Sequence, residues 1–181
     1  MRQAKKEIRQ KDTVIDLLNT CHVGRLGTVG RDGYPVIKPL NFAFHDGKIY
    51  FHSAREGEKI DDIARDNRVC FEVDLPIALV KSAANPCRAH YFYRSVIIRG
   101  RACVVRDTSE RVSALRRLME KYQPEGGYGN FPEDKLALTA VVRIDIEEMV
   151  GKEDVGTDQL GGAVSRALEE KEKLPIVLKR G

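Results

Sequence analysis

Two Asp-Gly dipeptides, Asp32-Gly33 and Asp46-Gly47, stand fourteen positions apart, and each lies between runs of β-compatible residues. Asp-Gly supplies the positive φ angles of a tight hairpin turn, and between apolar runs it is the strongest short-range hairpin signal. Two such turns in succession leave the intervening chain little choice but to run back and forth. Strands are therefore expected at residues 22–29, 34–44 and 48–54, forming an antiparallel meander.

The rest of the chain extends that frame. RVCFEVD at 68–74 alternates as a fourth strand, 92–105 reads as a long fifth strand with Gly100 at a bulge or bend, and 138–146 as a sixth. Helices are expected within residues 1–20 behind an Asp12 N-cap, after Gly57 with Ile60, Ile63 and Ala64 on one face, and after Asp107-Thr-Ser-Glu110, a capping box, with Val112, Leu115, Leu118 and Met119 as the buried stripe. Residues 75–90, carrying two prolines, and the Gly/Pro-rich residues 123–134 read as loops, which in compact domains are often functional. The fold class that follows is mainly β with added helices (α+β), an antiparallel barrel of six strands with helices at its ends. Residues 1–150 are read as the barrel domain. Residues 151–181 form a charged extension, helical near 162–173, that packs on the barrel or on a partner subunit.

The chain has 181 residues, 42% of them hydrophobic and 32% charged, which suits a single globular domain with a substantial core. No run of about 18 apolar residues is present to span a bilayer, and the basic N-terminus is not followed by an apolar signal region. A cytoplasmic location is expected, with Cys21, Cys70, Cys87 and Cys103 as reduced thiols. The 31 basic and 27 acidic side chains are dispersed, giving a net charge of +4 without the one-sided basic face that nucleic-acid binding requires. Cys87-x-x-His90 lacks the second ligand pair of a zinc site, and no metal is expected. No G-x-S-x-G elbow is present, and GRLGTVGRDG fits a hairpin turn rather than a dinucleotide loop.

One stretch, residues 34–63, concentrates candidate chemistry. The first arm of its hairpin ends at Lys38, Leu40 and Asn41, the second at His52 and Ser53, and the chain then enters a helix at Gly57 with Lys59 in its first turn. Backbone N–H groups at a helix start, with a lysine beside them, outline an anion site. On these residues alone Lys59 also reads as a solvated surface lysine, His52 as a structural strand residue, and Asn41 and Ser95 as ordinary strand positions.

The series RLGTVGRDGYPVIKPLNFAFHDGKIYFHSAREGEKIDDI, RVCFEVD, YRSVIIRGRACVV and TAVVRIDIEEMVGK resembles the pyridoxamine 5'-phosphate oxidase-like FMN-binding split-barrel proteins, over residues 12–152 and most closely the nitroimidazole reductase-like branch. The resemblance implies a six-stranded split barrel of Greek-key type and a homodimer with FMN at the subunit interface. It places Lys38, Pro39, Leu40 and Asn41 along the flavin ring and ribityl chain, His52 and Ser53 near ring and phosphate, Lys59 on the phosphate, and Ser95 where the family has a flavin-contacting Gln. His52 is its match for a histidine implicated in activity. The implied function is an FMN-dependent oxidoreductase that reduces a small organic acceptor such as a nitroaromatic. The alternative is a flavin- or haem-binding protein without turnover, with His52 or His90 as an axial ligand. The chain has no Trp and lacks the Arg-rich C-terminal segment of the true oxidase, so pyridoxamine phosphate is not the expected substrate.

Overall fold

The structure, a computed structural model, describes residues 4–156 and 159–180. The first three residues of the basic N-terminal segment, and Thr157, Asp158 and Gly181 of the C-terminal extension, lie outside the described residues. A 3-10 turn at Ala4–Lys6 leads into α1 (Lys11–Thr20), followed by β1 (Gly24–Val29), β2 (Pro35–Leu40), β3 (Ala43–His45), β4 (Lys48–Ala54) and α2 (Glu58–Arg65). Next come β5 (Arg68–Ser82), β6 (His90–Val104), α3 (Thr108–Tyr122), α4 (Glu133–Leu138), β7 (Thr139–Asp154), α5 (Gln159–Glu169) and β8 (Ile176–Arg180).

The described strands form one mainly antiparallel sheet in the order β2-β1-β5-β6-β7-β4-β3, with β8 pairing in parallel on β5, and helices flank it. Both expected hairpins form. Val29 faces Pro35 across the first turn, where Gly33 takes a φ of 86°, and His45 faces Lys48 across the second, where Asp46 and Gly47 take 49° and 71°. These left-handed angles are the reason the turns need Asp-Gly.

The described residues form eight strands rather than six, for two physical reasons. The expected strand at 34–44 breaks at Asn41-Phe42, because Phe42 turns fully into the core and its backbone leaves the ladder. The Tyr122 hydroxyl replaces the lost partners: the Phe42 N–H donates to it at 3.0 Å, and it lies 3.2 Å from the Phe42 carbonyl. The second reason is that the C-terminal segment adds β8. The 75–90 segment is likewise mostly strand, since β5 runs on to Ser82. Pro76 falls between residues 70–72, paired with β1, and 78–82, paired with β8, so its missing N–H interrupts neither ladder.

The chain divides into two compact units. One comprises residues 1–17, 74–96 and 150–181. Its core joins Ile77, Ala78 and Val80 of β5 and Phe92 of β6 to Val164 of α5, with Leu160, Leu168, Leu174 and Ile176 packed around them. The other comprises residues 18–73 and 97–149 and carries the hairpins, α2 and α3. There Ala43 and Tyr50 pack with Ala114, Leu115 and Leu118 of α3 and with Val141, while Phe42 meets Phe71 edge-on at 4.9 Å. The α3 helix starts as its capping residues require, with the Asp107 carboxylate accepting the Glu110 N–H at 2.8 Å.

Candidate functional site

The site forms inside the second unit, where α2 follows β4 and packs back onto β1. Asp62 makes that junction. Its side chain is 2% exposed, accepts hydrogen bonds from Thr28 of β1 at 2.9 Å and from Arg65 at 2.8 Å, and lies 3.9 Å from the Lys38 ammonium of β2. A buried carboxylate persists when charged donors surround it. Burial pushes the Asp62 pKa up, but the bonds from Arg65 and Thr28 and the charges of Arg65 and Lys38 outweigh it, so the carboxyl titrates below its ordinary range.

Strand β2 alternates, with Val36, Lys38 and Leu40 half-buried and Pro35, Ile37 and Pro39 exposed. Lys38 and Leu40 therefore share a face, and Pro39 lies on the opposite one. The Lys38 ammonium pairs with Glu58, the first residue of α2, at 2.8 Å. Asn41 lies beyond the strand end, where its side chain hydrogen-bonds the Tyr122 hydroxyl, which also donates to the His22 carbonyl at 2.6 Å. On β4 His52 is exposed and Ser53 half-buried.

Lys59 is half-buried in the first turn of α2, with its ammonium 5.3 Å from the centre of the buried Phe51 ring. Among the described residues it has no carboxylate partner. Burial and then the positive charge of Lys38 push its pKa down. The His52 pKa is lowered by desolvation and then by the charge of Lys59. Lys59 thus lies within electrostatic reach of both Lys38 and His52. At the start of α2, Gly57 has a φ of 125° and no side chain caps the helix. The arrangement is a cationic, partly dehydrated corner beside open N–H donors, and its chemistry is to receive an anion.

The structure therefore brings Lys38, His52 and Lys59 to one corner of the second unit, with Ser53 next along β4. Pro39 faces away from Lys38, Asn41 is engaged with Tyr122, and Ser95, on β6, belongs to the other unit. His90 belongs to that other unit as well, with its Nδ1 2.8 Å from the Arg88 carbonyl. The sequence reading missed Asp62, Glu58 and Tyr122. Only the i, i+3 spacing of Asp62 and Arg65 was available as a signal for the first, and nothing local marks Tyr122 as the group that ends β2.

With this geometry in view, comparison with known proteins defines the class. The sequence model described as pyridoxamine 5'-phosphate oxidase matches residues 10–153, and the chain belongs to that family. No curated protein matches it in sequence. Among solved structures it is similar to a candidate 5-nitroimidazole antibiotic resistance protein from Bacteroides thetaiotaomicron, at 24% identity and a TM-score of 0.72 over 81% of this chain and 86% of that one. It is also similar to the flavocytochrome Anf3 from Azotobacter vinelandii, at 21% identity and a TM-score of 0.75 over 90% and 77%. An FAD- and heme-binding protein from Mycobacterium smegmatis matches at 21% identity and a TM-score of 0.75 over 90% and 80%. At these identities the likeness is one of fold.

Proposed function

We propose that this protein is an FMN-dependent oxidoreductase that reduces a small organic acceptor, such as a nitroaromatic, in the cytoplasm. The observation that carries the reading is Lys59, a half-buried ammonium without a carboxylate partner among the described residues, set beside Lys38 and the uncapped start of α2. A phosphate monoester, close to doubly charged at neutral pH, offsets the repulsion between the lysines and accepts the free N–H groups. Residues and group fit.

Bound FMN would supply the redox chemistry, taking an electron pair from a reduced donor and passing it to the acceptor. The chain's own residues would hold and bias it. Lys59 and the first N–H groups of α2 would take the phosphate, and Lys38 and Leu40 would line the ring and ribityl chain. Ser53 would donate a hydrogen bond. His52, its pKa lowered by desolvation and then by the charge of Lys59, would present a neutral imidazole to the ligand. The reading includes a homodimer, because Tyr34 and Ile37, 73% and 68% exposed on and beside edge strand β2, are large apolar groups that a second copy would cover.

The test compares FMN with riboflavin, which lacks the phosphate. Lys59→Ala is expected to weaken FMN binding roughly ten- to a hundredfold, the equivalent of a charge-assisted hydrogen bond of about 1.5–3 kcal/mol, and to leave riboflavin nearly unaffected. Equal loss for both ligands in a fluorescence titration refutes the phosphate role. A purified protein showing a Soret band in place of flavin bands favours haem instead.

A further inference from the structure

We infer that a second anion subsite, distinct from the Lys59 corner, lies between Arg55, Arg106 and Arg111 and takes the phosphate groups of a small-molecule ligand. The three arginines line a cleft of about 490 Å³ whose other walls include Val104, Thr139 and Ala140. The cleft forms where β4 and β6 end and β7 and α3 begin. Ala54 pairs with Thr139, and the Val105 N–H donates to the Val141 carbonyl at 2.8 Å.

No carboxylate lines the cleft, and the acids next to Arg106 and Arg111 are engaged elsewhere. Asp107 accepts from the Glu110 N–H and from Ser109. Glu110 accepts from Arg143 at 2.9 Å and from the Tyr50 hydroxyl at 3.0 Å. Arg111 is held in place, its Nη2 donating to the carbonyls of Leu136 at 2.6 Å and Thr139 at 2.9 Å, which leaves its Nε and Nη1 hydrogens available. Arg55 and Arg106 are exposed and form no ion pair among the described residues.

Solvated surface arginines usually stand apart or pair with acids. Here three line one concave, partly apolar space that has no carboxylate in its walls. A guanidinium fork matches two phosphate oxygens at once, and one arginine already fixed by carbonyls loses little freedom on binding. A cleft of this size exceeds one phosphate and suits a diphosphate or a nucleotide's phosphate end.

The probe is pyrophosphate, titrated by calorimetry at low salt into the full chain. In Lys59→Ala, where the Lys59 corner no longer competes for the anion, pyrophosphate is still expected to bind, and adding Arg55→Gln/Arg106→Gln is expected to weaken that binding at least tenfold. With Lys59 intact, the arginine double variant's affinity for FMN, followed by fluorescence, should match wild type, which also shows that the variant is folded. Absence of binding to wild type overturns the inference, as does loss on Lys59→Ala alone. A parallel loss of FMN affinity in the arginine variant overturns it too, since the arginines would then belong to the first site. Because pyrophosphate binding is read without flavin, the inference can fail while the flavin reading stands, and the reverse.

Discussion

Replacing Asp62 by Asn would keep the shape of the side chain and remove its charge at the junction of β1, β2 and α2. The variant's oxygen can still accept from Arg65, and the Thr28 hydroxyl can rotate to accept from the new amide, so the loss is mainly electrostatic. Breaking a buried ion pair by removing one partner typically costs about 3–5 kcal/mol. Arg65 is 39% exposed and Lys38 25% exposed, with Glu58 still beside Lys38, so water and Glu58 recover part of the difference. A destabilisation of about 2 kcal/mol is expected, which for a chain of this size lowers Tm by about 4–8 °C. The effect depends on pH in a defined direction. The folded-state pKa of Asp62 lies below the ordinary value of 3.8, so its contribution is complete above that value and disappears as pH falls through the lower folded one. Urea denaturation of both proteins between about pH 7 and about pH 2.5 should show two stabilities that converge in acid. A variant within about 0.5 kcal/mol of wild type at neutral pH, or a difference that persists unchanged into acid, would refute the network as described.

His52→Ala is expected to leave FMN bound while changing the rates of flavin reduction or reoxidation, and unchanged stopped-flow rates for both would make His52 a packing residue. Because the charge of Lys59 contributes to lowering the His52 pKa, Lys59→Ala should raise it, as read by NMR titration of the imidazole. Lys121, whose ammonium donates to the Leu18 carbonyl at 2.8 Å and sits 3.5 Å from the Phe42 ring centre, has its pKa pushed down to about 8 by burial. The charged amine is therefore disfavoured in the fold, and the stability of wild type relative to Lys121→Met should rise as pH increases from about 8 toward 10.5; a flat difference in chemical denaturation would show the amine to be freely solvated. Light scattering with FMN present should give twice the chain mass, and a monomer at micromolar concentration would remove the dimer.

Elements whose signals are local were legible. The two Asp-Gly turns, the β4 strand, the Asp107 cap and the Leu115 and Leu118 positions of the α3 stripe each depend on a few adjacent residues, and each appears where the pattern places it, although Ala114 is buried and Val112 and Met119 are only half-buried. The extent of β5 was not legible, because two prolines and several small residues argue for a loop over the same span where Ile77, Ala78 and Val80 are fully buried. Burial there depends on Phe92 and Val164, far along the chain, and no window of local sequence contains that information. The end of β2 is a sharper case. Nothing within residues 34–44 demands a break, and the break exists because Tyr122, eighty positions later, offers Phe42 a hydroxyl that replaces its strand partners.

The candidate site divides along the same line. Lys59 and Gly57 could be read from a strand–glycine–helix sequence, because the anion-binding property belongs to the helix start itself. Whether Lys59 is free to use its charge is a different question, decided by which acid pairs with which base. Among the carboxylates close to it in sequence, Glu58 and Asp62 flank it at the positions before it and one turn on, and either could have neutralised it. The fold assigns Glu58 to Lys38 and gives Asp62 to Thr28 and Arg65, with Lys38 a more distant neighbour, so the acids are spent on holding α2 against β1 and β2. Lys59 is left over a phenylalanine ring with its charge unmatched. The cation is available for a ligand because the structural ion pairs next to it are already complete.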